Sequence, residues 1–280
     1  KTLIIACEEG EVEYDIPALE KENASVEFIE NEEDLNYETL LHLHQKYQPT
    51  QVMIEYNGMW DNTKFVDEIC IDQWQVVQIL TTISAETFDL YYNNMRGQFV
   101  YHITGSDLVI VNRCDENTKK YPIRGSIKSL NPMCQIVYEN KNRQIEDLTV
   151  NDLPYNLNDD YIEVNDMDYG IFCMHIMENP QIYENKTIKI KGKVIGRDKL
   201  IENGFVLGRQ AMVCCSDDMQ LLGLVCISKY AKDLIKDEWL VVDGTISLEY
   251  DESIQSNIPI LHVDHLEGAK PLENEYVTFD

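Results

Sequence analysis

Thr187-Ile188-Lys189-Ile190-Lys191-Gly192-Lys193-Val194 alternates polar residues with apolar or small ones. A period of two puts Ile188, Ile190, Gly192 and Val194 on one face and three lysines on the other, the pattern of a half-buried strand. Downstream, 205–207, 211–214, 222–227, 239–246 and 258–263 repeat short strand-like runs, and 229–234 offers one or two helical turns between them. Five or six short strands with one interposed helix predict a small, closed, OB-like β-barrel over residues 185–280.

Upstream of that stretch the patterning changes. Between Ile145 and Asp168 the chain is dominated by Asp, Asn and Glu and contains Pro154. A short helical run then ends at Asn179-Pro180. Residues 151–184 therefore read as an acidic linker and a short helix. Residues 1–150 read differently again. The continuous apolar runs Leu3-Ile4-Ile5-Ala6, Val26-Glu27-Phe28-Ile29, Val52-Met53-Ile54, Val76-Val77-Gln78-Ile79-Leu80, Leu108-Val109-Ile110-Val111 and Gln135-Ile136-Val137-Tyr138 are interspersed with helical spacing, most clearly at Leu40, Leu41, Leu43 and Tyr47. Buried strands alternating with helices predict an α/β domain with a parallel sheet covered on both faces.

Composition bounds the function. Of 280 residues, 44% are hydrophobic and 26% charged, which is globular rather than disordered. Fifty acidic against 23 basic residues leave a net charge of −27, a field that repels phosphate backbones and anionic surfaces, so nucleic acid is not an expected partner. No apolar run approaches the roughly 20 residues that span a bilayer, so no membrane insertion is expected. Eight cysteines without framework spacing, and no secretory leader, predict reduced thiols in a cytoplasm. Lys1 runs straight into a strand pattern and reads as a point of truncation.

Three constellations carry chemistry. Asn112-Arg113-Cys114-Asp115 follows a strand, where proteins that select guanine place an Asn-Lys-x-Asp turn: the Asp accepts from the base and the basic stem lies across it, a role Arg113 can fill. In isolation the same four residues read as a loop with an Asx turn. Glu55-Tyr56-Asn57-Gly58 follows another strand, with Glu55 placed to hold the shell of a Mg²⁺ ion and Gly58 to let backbone approach a phosphate. The acidic run from Cys7 to Asp15 reads either as a solvated loop or as a switch segment in which Glu8, Glu11 and Asp15 are catalytic residues that orient attacking water.

In this order, the three resemble the CobW branch of the CobW/HypB/UreG GTPases. That family's N-E-F-G-E-x-x-x-D is met by Glu8, Gly10, Glu11 and Asp15, and its I-I-E-x-x-G by Ile54, Glu55 and Gly58. Its V-D-A-x-x-F is echoed from Ile83 to Phe88 with Ser84 in place of Asp, and Leu130-Asn131-Pro132 follows as L-N-P. The resemblance implies an incomplete P-loop-type GTPase domain over 1–150, with guanine nucleotide as partner and Mg²⁺ with GTP as cofactor in the intact parent. The family's G-x-x-x-x-G-K-[ST] loop, whose backbone amides and lysine hold phosphates, lies nowhere in these residues and is expected upstream of Lys1. The family's C-x-C-C motif is missing from 29–51. Through Arg209 to Asp218, Trp239 to Thr245 and Glu275-Tyr276-Val277, the C-terminal part resembles the β-domain of bacterial membrane-permease companion proteins.

Cys214 and Cys215 are candidate ligands for a transition metal, one of them joining Cys226, Asp217 or His262. As neighbours on a strand they face opposite sides, and a core cysteine is the competing reading. Three functions follow as expectations. The first is a parent that slowly hydrolyses GTP and engages a protein partner through its β-domain. The second is a non-enzymatic interaction protein. The third is a metal-binding accessory of a membrane transporter.

Overall fold

A computed structural model describes residues 1–8, 10, 12–198, 201–212, 219–252, 254–277 and 279. The chain divides into two compact units, one of residues 1–81 and 90–109, the other of 82–89 and 110–280.

The first unit is built on β1 (Thr2–Ala6), α1 (Ile16–Lys21), β2 (Ala24–Phe28), α2 (Tyr37–Tyr47) and β3 (Gln51–Glu55). The strands form a parallel sheet in the order β2-β1-β3, with Ile4 opposite both Val26 and Met53. Leu3 and Ile5 turn to one face and pack with Leu35, Leu40, Leu43 and Ile71 into this unit's core. The opposite face keeps Phe28 and Met53 more than half exposed. Asn36 caps α2 through the Thr39 amide, and Gln48 closes it in a left-handed conformation before Pro49.

A second sheet, in the order β4-β5-β6-β7, comprises β4 (Leu80–Ser84), β5 (Leu108–Cys114), β6 (Gln135–Asn140) and β7 (Ile145–Glu146), with α3 (Phe88–Asn94), α4 (Arg96–Thr104) and α5 (Lys120–Leu130) between its strands. Strands β4 and β5 run parallel: the Leu108 amide donates to Ile79 O at one end and the Ala85 amide to Asn112 O at the other. The expectation of one parallel sheet of the P-loop GTPase type is thereby corrected. The six anticipated strands divide between two small sheets, and β4 does not join β3. The connection 56–79 instead sends Trp60, Phe65, Ile71 and Trp74 beneath β1 and β3, so apolar residues that suggest further sheet layers fill one small core. The strand expected at 76–80 begins only at Leu80, and Val77 is 85% exposed.

The rest of the second unit carries β8 (Tyr161–Glu163), α6 (Tyr169–Glu178), α7 (Pro180–Tyr183) and five long strands: β9 (Thr187–Arg197), β10 (Gly204–Met212), β11 (Met219–Ile227), β12 (Trp239–Asp251) and β13 (Ser256–Gly268). Their order β10-β11-β13-β12-β9, with β10 also pairing β9, closes a five-stranded barrel. All its pairs are antiparallel except β11 with β13, the connectivity of an OB-fold. Ile188, Ile190 and Val194 point inward with Phe205, Leu207, Leu224, Cys226, Val242, Ile246 and Leu261. Leu153, Leu157, Ile162 and Val164, from the acidic stretch, join the same core, as do Tyr169, Phe172 and Ile176 of α6. Among the described residues, no helix is long and apolar enough to cross a membrane.

Candidate interaction site

The barrel wall opens where β9 and β10 part. Strand β11 accompanies β10 over its whole length, from Gly204 to Met212, whereas β9 pairs with it only as far as Gly208, opposite Lys193. Arg209 fills the gap. On the inward side of β10, with its side chain 2% exposed, it donates from Nε and Nη2 to Lys191 O at 3.0 and 2.7 Å. It also donates from Nη1 to Asp166 O at 3.2 Å and pairs with the Asp166 carboxylate. The guanidinium lies 4.2 Å from the Tyr169 ring centroid and 5.7 Å from that of Trp239. A carbonyl left without its ladder partner needs another donor when buried, and Arg209 supplies it.

The open edge of β10 beyond Gly208 is taken by a segment from the end of the chain. The Val277 amide donates to Gln210 O at 2.8 Å, and Val277 bridges Ala211 in parallel. On one side of this contact, Glu275 pairs with Lys193 at 2.6 Å. On the other, Phe279 enters a slot between α5 and α6. A methyl group built on Gly125 would stand 2.2 Å from Phe279 Cδ1, and one on Gly170 would stand 2.6 Å from Val277 Cγ1. Both walls of the slot are therefore glycine by necessity. Val277 and Phe279 are 5% and 7% exposed. Both belong to the hydrophobic core of this unit and, with Glu275, form a strap along the open edge of β10.

The α5–α6 seam beside the slot is polar. Tyr121 packs edge-on to His175, and Arg124 pairs with Glu178 at 2.8 Å. His175 Nδ1 lies 2.7 Å from the Tyr183 hydroxyl, which lies 2.7 Å from that of Tyr155. Burial pushes the His175 imidazole below its ordinary range, so it is neutral near pH 7. The shallow cleft lined by Tyr121, Arg124, His175 and Glu178 has room for about one water, too little for a metabolite.

The sequence-derived site residues are engaged elsewhere. Glu8, Asp15, Glu55 and Gly58 belong to the first unit; Asn112, Arg113 and Asp115 belong to the second. At the carboxyl edge of β1 and β3, the Tyr14 hydroxyl donates to Glu55 Oε2 at 2.5 Å and the Gly58 amide to Glu8 Oε2 at 3.3 Å. His102 Nε2 lies 2.9 Å from Gly58 O. Asp15 caps α1 by accepting from the Ala18 amide. Burial first, and then the Glu55 charge, pushes the nearby Cys7 thiol up to about 11, so it stays protonated at neutral pH. Glu11, Cys214 and Cys215 lie outside the described residues. Among the described residues, no group of three or more His, Cys, Asp or Glu could hold a metal ion.

Asp115 forms an Asx turn: Oδ1 accepts from the Asn117 amide at 3.0 Å, and Oδ2 pairs with Lys141 at 3.1 Å, which also pairs with Glu86. Arg113 has a left-handed backbone, φ 57°. Ser84 Oγ and Asn112 Oδ1 are buried without a hydrogen-bond partner. Lys141, the Asn117 amide and Thr118 hold the Asp115 carboxyl below its usual range. A depressed carboxylate adds stability above its unfolded pKa of about 3.9 and loses it as pH falls through the lower folded value, so this contact is constant near neutrality. Lys141→Ala is expected to move the Asp115 titration upward, read by carboxyl ¹³C NMR. An unmoved titration would show that the lysine does not hold the turn.

Comparison with known proteins finds relatives of the C-terminal half. Residues 139–278, half of the chain, match the family model described as the DUF1980 C-terminal domain, and the chain belongs to that family. A curated relative is the UPF0703 protein YcgQ of Bacillus subtilis (strain 168), 23% identical over 116 residues. The match covers 41% of this chain and 41% of that protein, so the chain spans about two fifths of the relative's length. Similar solved structures include the mitochondrial single-stranded DNA-binding protein Rim1 of S. cerevisiae, at 11% identity, with 30% of this chain and 94% of that one covered and a TM-score of 0.22. Another is the N-terminal domain of PriB from Thermoanaerobacter tencongensis, at 12% identity, 31% and 99% coverage and a TM-score of 0.23. At these scores the likeness says nothing about ligands.

No GTPase family of the CobW type matches, which overturns that resemblance and the GTP-binding reading drawn from it. In the structure Asp115 forms an Asx turn with Lys141 across it, and Glu55 accepts from Tyr14.

Proposed function

We propose that this chain is a non-enzymatic interaction protein whose barrel takes an extended segment of a protein partner along the open edge of β10. One observation carries the reading: that edge already holds a peptide by main-chain pairing, Val277 to Gln210 and Ala211, with a glycine-walled slot for the aromatic side chain that follows. Strand addition derives affinity from backbone hydrogen bonds and specificity from pockets for alternate side chains, and both elements occur at this edge. A reducing, cytoplasmic setting is part of the proposal, supported by the thiols of Cys173 and Cys226 within the core.

The test is a fluorescence-anisotropy titration of the intact chain against a labelled peptide of sequence PLENEYVTFD, residues 271–280. Saturable binding, abolished when the peptide's valine and phenylalanine are both replaced by aspartate, is the expected outcome. Equal binding of the parent and doubly substituted peptides would contradict the reading.

A further inference from the structure

We infer that Glu275, Val277 and Phe279 act as a resident competitor at this site, and that the partner segment displacing them carries an acidic residue, a β-branched residue two positions on and an aromatic residue two beyond that. The inference rests on the proposed peptide-binding reading and adds to it a ligand pattern and a mode of regulation.

The pattern follows from strand geometry. In an extended segment, residues two apart share a side, and three such residues make the contacts here. Glu275 meets the Lys193 ammonium, which lies 5.5 Å from the Trp239 ring centroid. Val277 lies against the bare backbone of Gly170, and Phe279 reaches both Gly170 and Gly125. Tyr276, on the alternate side, is 47% exposed and is free to vary. The walls add selectivity, because any side chain at Gly125 or Gly170 would occupy the space of the ring or the valine methyl. The ammonium at one end and the apolar slot at the other also fix the direction in which a segment lies.

Occupancy by the chain's own segment provides the regulation. An external peptide binds only the fraction of molecules whose strap has lifted, so its apparent Kd is the intrinsic value divided by that fraction. Phe279→Ala removes the anchor that fills the slot and raises the open fraction. Labelled PLENEYVTFD is expected to bind the intact Phe279→Ala chain about tenfold more tightly than the parent, as for a strap seated about nine-tenths of the time. Glu275→Gln, which leaves both apolar anchors in place, is expected to give a smaller tightening in the same direction. A cooperative thermal melt of each variant establishes that it is folded, and Glu275→Gln carries the test if Phe279→Ala is not. Equal affinity for parent and variants would overturn the competitor while leaving the site standing. Absence of binding to all of them would overturn the peptide-binding reading itself.

Discussion

Arg209→Ala is expected to lower the unfolding free energy by roughly 3–5 kcal/mol. The ion pair with Asp166 is the smaller part, since that carboxylate is 46% exposed and regains water when the arginine is removed. The larger part is the Lys191 carbonyl, whose two donors both come from Arg209, together with packing against Tyr169 and Trp239. A buried acceptor left unmade costs about 1–3 kcal/mol, and the lost side-chain contact adds to it. Arg209→Lys keeps the charge but lacks the planar fork that reaches two carbonyls, so an intermediate loss is expected. Urea denaturation of the intact chain measures both variants, and a loss below about 1 kcal/mol for the alanine variant would show that β9 and β10 part without needing a plug.

Gly244→Ala is the second large effect. At this position β12 and β13 shift register, and a methyl group would stand 2.2 Å from His262 O and 2.8 Å from His262 C. Both are backbone atoms of the paired strand, so no rotamer change relieves the clash and the ladder itself must move. A loss of about 3 kcal/mol or more is expected. Gly196→Ala, also on a barrel strand but with nothing within 4 Å of the added methyl, is the control and should fall within about 0.5 kcal/mol of the parent. Similar melting temperatures for the two variants would mean that the barrel tolerates a shifted register at Gly244.

The barrel was the most legible part of the chain because its evidence is local. The alternation from Thr187 to Val194 appears in β9 with the anticipated faces, and each lysine stands opposite a residue of β12: Lys189 opposite Asp243, Lys191 opposite Val241 and Lys193 opposite Trp239. The N-terminal half misled for a related reason. Short apolar runs followed by Glu55 or Asn112 look alike whether the strands join one large sheet or two small ones, since strand partners are set by tertiary packing. The turn at Asp115 presents the same four residues as a guanine-reading loop, and its contact with Lys141 lies 26 positions on, beyond the reach of a local motif.

The strap site was not found from sequence. Its slot is walled by glycines on two helices more than a hundred positions away. A signal was nonetheless present. Gly125 and Gly170 lie within helical stretches, where glycine costs about 0.5–1 kcal/mol relative to alanine; such a residue calls for a packing reason.

Amide NMR on the intact chain, titrated with the unlabelled PLENEYVTFD peptide, tests the central claim most directly, because it reports where the peptide lands. Saturable shifts at Gln210, Ala211, Gly125 and Gly170, accompanied by release of the Val277 amide from protection against hydrogen exchange, are the predicted result. Saturable shifts confined to β1, β2 and β3, or no saturable shift at any amide, would contradict it.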